Sequence, residues 1–286
     1  MSEDDHARDA LTGVAAGRRR RRGGAERPVV PKAEFASYYG KPVIKPPTWR
    51  TLDIGGYLYL GGLAGASSVL AAGAELSGRH RLARVSRIGS FVAIAISGVA
   101  LVHDLGRPER FINMLRVFKF SSPMSVGSWL LSAYGPPCGA AAFSAVTGRL
   151  PHVGTAGAMA AALIGPGVAA YTGVLLADTA VPAWHEGHRE LPYLFVSSAA
   201  VAAGGLGLLA APLDEALPAR RLAVAGSVAE LLAAHRMRGR MGIVAEAYRT
   251  GRAGRLTRTA EVLTAAGAVA AVLGWRNRLI SAAAGV

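Results

Sequence analysis

The sequence predicts an all-α fold, a polytopic transmembrane bundle of about seven or eight helices. Three observations predict it. Apolar residues make up 51% of the 286 and mean hydropathy is +0.31, while charged residues make up only 17%, against roughly 25% in a soluble chain. The net charge is +14, yet the basic residues are confined to a polar N-terminal segment and to short stretches between long apolar runs. A run of about 20 apolar residues crosses a bilayer. Charge is pushed to its ends because an unpaired polar group in hydrocarbon costs several kcal/mol.

Residues 1–50 read as a polar, basic tail. It carries the arginine run Arg18 to Arg22, then a proline- and lysine-rich stretch from Arg27 to Trp49 that reads as an arm at the membrane surface or as a solvated tail. Residues 51–286 read as the transmembrane domain. The first span is Leu52–Leu76. Ile88–Val102 is the core of the second, and Val126–Val146 is the third, with Pro136-Pro137 expected to kink it. The fourth, Val153–Ala177, carries Gly165-Pro166-Gly167 at its middle. These four form a first bundle over 52–178. A second bundle, 191–286, holds Tyr193–Leu213, the short Leu222–Ala234 with Glu230 inside it, and Thr257–Leu273. The last apolar run, Leu279–Val286, is too short to span. Small residues such as Gly61, Gly62, Gly65 and Ser68 in the first span, and Ala169, Gly173 and Ala177 in the fourth, suit close helix packing in lipid.

Several function classes are excluded at this level. Cys138 is the only cysteine, so the chain offers no disulfide, no CxxC and no iron–sulfur ligand set. None of the seven histidines lies well inside a span, so no bis-histidine haem is expected, and no metal site. The pI near 10.8 is explained by membrane topology rather than by nucleic acid, for which no motif appears. With the N-terminus inside, 23 of the 32 Lys and Arg fall on that side, and the positive-inside rule favours this orientation. The stretch Arg79, Arg81, Arg84 and Arg87, read as an outside loop, works against it.

The unusual residues gather at one end of the bundle. The segment HDLGRPERFINMLRVFKFSSPMSVGSW, from His103 to Trp129, breaks a helix at Gly and Pro and continues with interleaved basic and aromatic residues. This segment resembles the NrfD/polysulfide reductase membrane-subunit family. So do YTGVLLADTAVPAWHE with LPYLFVSSA, from Tyr171 to Ala199, and the opening DIGGYLYLGGLAGASSVLAAGAEL. The resemblance covers roughly residues 35 to 275. It implies an eight-helix quinone-binding subunit without haem or cluster of its own, non-catalytic alone, in the bacterial inner membrane, where the charge rule places the N-terminus on the cytoplasmic side. It further implies exchange of electrons between menaquinone or menaquinol and a ferredoxin-like iron–sulfur partner, attached to a molybdopterin-type catalytic subunit. The family's quinone site lies in the first four helices, and a polar pair on the first helix maps onto Asp53 and Tyr57, with Tyr171 on the fourth as the matching hydrogen-bond donor.

The residues themselves agree with quinone chemistry and leave alternatives open. Quinol oxidation releases two protons with two electrons, so a site needs a hydrogen-bond partner at each oxygen and a route to water. Asp53 and Tyr57 lie on one face of a helix; they also read as a helix cap and a belt aromatic. His103 and Asp104 end the second helix at the same depth. A histidine there relays protons near neutral pH, or the two only hold the loop through Arg107 and Arg110. Trp129 joins Arg107 as a candidate at the quinone. Arg107, Arg110, Arg116 and Lys119 are candidates for docking an acidic partner, or serve as topology signals and lipid contacts. Glu75, Asp178 and Glu230 are candidates for a proton path, or are snorkelling and paired carboxylates. Two other functional classes remain: a transporter or proton-translocating protein, suited by the mid-span prolines, and a membrane anchor that never touches quinone.

Overall fold

The computed structural model describes residues 47, 49–104 and 109–285. The basic tail ahead of them lies outside the described residues, as do Leu105 to Pro108. Every regular element among the described residues is helical: α1 Thr51–Leu76, α2 His80–Asp104, α3 Glu109–Met114, α4 Pro123–Thr147, α5 Pro151–Ala177, α6 Pro182–His185, α7 Leu191–Ala210, α8 Leu217–Arg240, a 3-10 turn at Gly242–Tyr248, α9 Gly251–Leu273 and α10 Arg278–Ala283. Seven of these have 20 residues or more and coincide with the seven predicted spans. Five, α1, α2, α5, α7 and α9, are long and apolar enough to cross a membrane.

Local sequence explains the boundaries. Gly78, at φ +71°, makes the left-handed turn that ends α1 and lets α2 begin two residues later. This corrects one expectation: Arg81, Arg84 and Arg87 do not lie in a loop but in the first two turns of α2. Ser122 caps α4, its Oγ accepting the Ser125 N–H at 3.4 Å, with Pro123 in the first helical position. Gly148, in the left-handed region, closes α4, and Pro151 starts α5. The sixth span is also longer than its apolar core, because Arg221, Arg236 and other exposed basic side chains extend α8 at both ends with their heads turned outward. The final apolar run forms the short α10. Arg278 anchors it, donating from Nη1 to the carbonyls of Leu208 at 2.9 Å and Ala211 at 2.6 Å at the end of α7.

Helix α1 is the hub, packing on α2, α5 and α7; α4 packs on α5, and α8 on α7. The packing is set by small residues. A Cβ added at Gly65 would overlap the carbonyl oxygen of Gly165, and one at Gly165 would overlap that of Gly65, so α1 and α5 cross backbone to backbone. Gly173 meets the backbone of Leu191 and Pro192 in the same way, bringing α5 against α7. Beside the crossing, the Tyr134 hydroxyl of α4 donates to the Ala64 carbonyl at 2.7 Å and also bonds Ser68. Tyr134 and Ser68 thereby satisfy each other and the Ala64 carbonyl inside the first bundle.

Candidate functional site

The site forms where α1 begins and α2 ends. The Asp104 carboxylate accepts the Arg50 N–H at 2.9 Å, so a residue of α2 caps α1. His103 Nδ1 lies 2.8 Å from Asp53 Oδ2, and His103 Nε2 lies 3.1 Å from Arg50 Nη1. A guanidinium only donates hydrogen bonds. Nε2 is therefore the acceptor, and the ring proton sits on Nδ1 and points at Asp53. This chain, Arg50 to His103 to Asp53, fixes the tautomer of the imidazole and orients the ring through a carboxylate. The His103 side chain is 61% exposed and that of Asp53 only 20%, so the histidine reaches outward while its carboxylate is held behind it.

A cleft of about 930 Å³ opens beside this chain, between α2 and α4. Arg50 and His103 line one end of it, and Phe91, Gly98, Val99 and Pro136 line its length. The wall is apolar because α2 turns valines and phenylalanine toward the bilayer side; Val99 is 70% exposed. Pro136 has a structural consequence here. It lacks an N–H, so the carbonyl of Ser132, four residues earlier in α4, loses its helical donor. Ser132 and Pro136 both line the cleft, which therefore carries a polar spot in an otherwise apolar wall.

A second polar group lies one helical turn deeper. Tyr57 follows Asp53 by four residues, so their side chains are about 6 Å apart on one face. Its hydroxyl bonds that of Tyr171 on α5, and both rings are buried. The ring of Tyr171 occupies the space that a side chain at Gly127 of α4 would fill. The three candidates His103, Asp53 and Asp104 thus meet in one network with Arg50, and Tyr57 and Tyr171 meet in another.

The remaining candidates are dispersed. Trp129 packs edge-on against Phe118, with ring centroids 6.1 Å apart, outside the cleft lining. Arg107 and the side chain of Arg110 lie outside the described residues, so the pairing of His103 and Asp104 that the structure describes is with Arg50. Arg116 and Lys119 are exposed on a loop that also presents Val117, Phe118 and Phe120. Glu75 pairs with Arg87 at 3.1 Å near the far end of α1. Asp178 is exposed at the end of α5. Glu230 lines a smaller cavity of about 190 Å³ between α8 and α9, where Arg238 and Glu261 form an ion pair; Glu75 does not reach that cavity.

Two features escaped sequence reasoning. Arg50 reads as part of the tail, yet a cation at the start of a helix opposes the helix dipole, and that conflict was the available signal that it has partners. The second is a forked ion pair at the start of α7: Arg240 Nε donates to Glu190 Oε1 at 2.9 Å and Nη2 to Oε2 at 2.8 Å, across fifty residues. Hydrogen bonding from Arg240 is the first cause holding the Glu190 carboxyl below its ordinary range. A depressed carboxylate stabilises the fold above its unfolded pKa, about 4.3, and loses that contribution as pH falls through the lower folded value. The melting temperature in detergent is expected to drop below about pH 4.3, and Arg240→Gln to flatten this part of the profile. An identical acid limb in the variant would remove the pair from the account.

A helical bundle with five span-length apolar helices and a laterally open apolar cleft is an integral membrane protein. The family model for polysulphide reductase, NrfD, matches residues 44–244, which includes every described candidate residue at the cleft, and the chain belongs to that family. No curated protein matches the chain significantly.

Proposed function

We propose that the chain is the quinone-reactive membrane subunit of a respiratory oxidoreductase, with menaquinone or menaquinol taken from the bilayer into the α2–α4 cleft. The observation that carries this reading is the cleft itself: an apolar slot about 930 Å³ in volume, ending on Arg50 and His103. The volume, the apolar length and the polar end suit an isoprenoid ring compound, and the donor set fits oxygen atoms rather than a metal. A quinone supplies, when bound, the uptake or release of two electrons with two protons. The protein's part is to hold the headgroup and move protons. Arg50 would hold one headgroup oxygen by a hydrogen bond. His103 Nε2, freed from Arg50, would take one of the two protons released on quinol oxidation, or return one on quinone reduction, with Asp53 balancing its charge through Nδ1. Its exposure gives the proton a route to water. Tyr57 and Tyr171, a buried pair one turn deeper, lie behind the cleft lining rather than in it.

Electrons pass to or from a ferredoxin-like iron–sulfur partner, itself joined to a molybdopterin-type subunit. The loop carrying Arg116, Lys119 and the exposed Phe118 and Phe120, together with Arg107 and Arg110 of the same segment, is the docking surface. The proposed setting is the bacterial inner membrane with the N-terminus cytoplasmic. Three of the arginines counted against that orientation, Arg87, Arg220 and Arg278, are engaged inside the protein, which weakens their weight as topology signals.

Gly98 provides the test. A Cβ added there meets no neighbouring atom within 4 Å, and Gly98 lines the cleft. Gly98→Phe is expected to leave the melting temperature unchanged and to raise the KM for a water-soluble menaquinol analogue about tenfold or more, because the phenyl ring takes volume the ring compound needs. Unchanged kinetics in the assembled complex would move quinone out of this cleft. Proton translocation has one observation in its favour, Glu230 facing a cavity that also holds Arg238 and Glu261. Glu230→Gln in proteoliposomes separates the two readings: loss of proton uptake with electron flow retained would favour it.

A further inference from the structure

Seven arginines lie between Arg236 and Arg258, and their surroundings divide them. Arg238 pairs with Glu261 and Arg240 with Glu190. Arg236, Arg249, Arg252, Arg255 and Arg258 are exposed and form no ion pair among the described residues, although Glu246, also exposed, lies in the adjoining 3-10 turn. Helix α9 arranges the last of these in a particular way. At 3.6 residues per turn, Arg255, Arg258, Val262, Ala266, Val269 and Leu273 share one face. The opposite face, Thr257, Glu261 and Thr264, borders the cavity with Glu230.

The shared face is cationic at its start and apolar for the rest of its length. Val262 is 66% exposed, Val269 58% and Leu273 66%. Only 6% of the apolar window of α9 is buried, against 33% to 50% for the other four span-length helices. From Arg258 to Leu273 the face rises about 22 Å at 1.5 Å per residue, more than half of a hydrocarbon layer about 30 Å thick.

We propose that this face of α9 binds an anionic phospholipid, with the phosphate on Arg255 and Arg258, Arg252 adjoining, and the acyl chains along Val262, Val269 and Leu273. Arginine engages phosphate through two parallel N–H donors. The positive end of the helix dipole, at the same terminus, adds to the attraction. The order of chemistry along the face, charge then hydrocarbon, is that of the lipid. A second transmembrane helix is less well matched, because close helix contact in lipid uses small residues and this face projects valines and a leucine.

The test uses the full chain reconstituted in phosphatidylcholine vesicles with and without phosphatidylglycerol, and spin-labelled versions of both lipids as probes. The native protein is expected to prefer the phosphatidylglycerol probe about tenfold at its boundary, and the preference should fall with added salt. The triple variant Arg252→Gln, Arg255→Gln, Arg258→Gln is expected to lose most of it. The control Arg79→Gln, Arg81→Gln, Arg84→Gln, at the other end of the bundle, is expected to keep it. Retention of the preference by the first variant overturns the proposal. So does equal loss in both variants, which would report bulk charge alone. Should the first variant keep its lipid preference but lose an acidic protein partner on purification, the face docks protein instead.

Discussion

Alanine at position 103 is expected to cut quinol-linked electron flow through the assembled complex about a hundredfold, the lower end of the range for a positioned acid–base group. The side chain is 61% exposed and anchors no core packing, so the variant should fold and assemble normally, and the loss should appear in turnover. Asp53→Asn is expected to have an intermediate effect, because the amide still accepts the Nδ1–H bond but no longer balances the charge of a protonated ring. Added imidazole should restore part of the rate in His103→Ala and none in Asp53→Asn. A subunit that merely anchors its partners would show full electron flow in both variants, and that result would remove His103 from the chemistry.

Valine at position 65 is expected to destabilise the bundle by at least about 3 kcal/mol, at or above the upper part of the range for overpacking a tight interior. The reason is geometric. The new Cβ would overlap the Gly165 carbonyl, a backbone atom that no rotamer change can move aside. Relief requires α1 and α5 to separate, which would also disturb the Tyr57–Tyr171 bond that spans the same two helices. Gly165→Val should have the same consequence, and the double variant should cost less than the two singles together because both break one contact. Thermal melting of the detergent-purified protein, followed by fluorescence, reads all three. A Gly65→Val protein that melts like the native one would show that the crossing tolerates separation.

Hydropathy and composition were sufficient for the seven long helices because a bilayer acts on each segment separately: it rewards an unbroken apolar run wherever it occurs. They were less good at helix ends. Arg81, Arg84 and Arg87 looked like loop residues because charge normally marks the interface, yet Gly78 turns the chain so tightly that they fall inside α2, and Glu75 receives Arg87. Glycine spacing likewise pointed to close packing, without saying that Gly65 meets Gly165.

For the site, local chemistry singled out His103 and Asp104 as unusual polar residues at a helix end, while the family resemblance pointed to Asp53, Tyr57 and Tyr171. Their grouping was not legible, because His103 and Asp53 are fifty residues apart, Tyr57 and Tyr171 more than a hundred. Which side chains meet depends on the rotation and depth of each helix, set by backbone contacts such as Gly65 with Gly165 and Gly173 with Leu191. Arg50, assigned by sequence to a tail, becomes part of the network only when the end of α2 comes beside the start of α1. The sequence by itself determined a membrane-spanning helical protein and its family. Only the tertiary structure decided that histidine, carboxylate and arginine converge at the end of an apolar cleft, since convergence is a property of helix packing and not of any one segment.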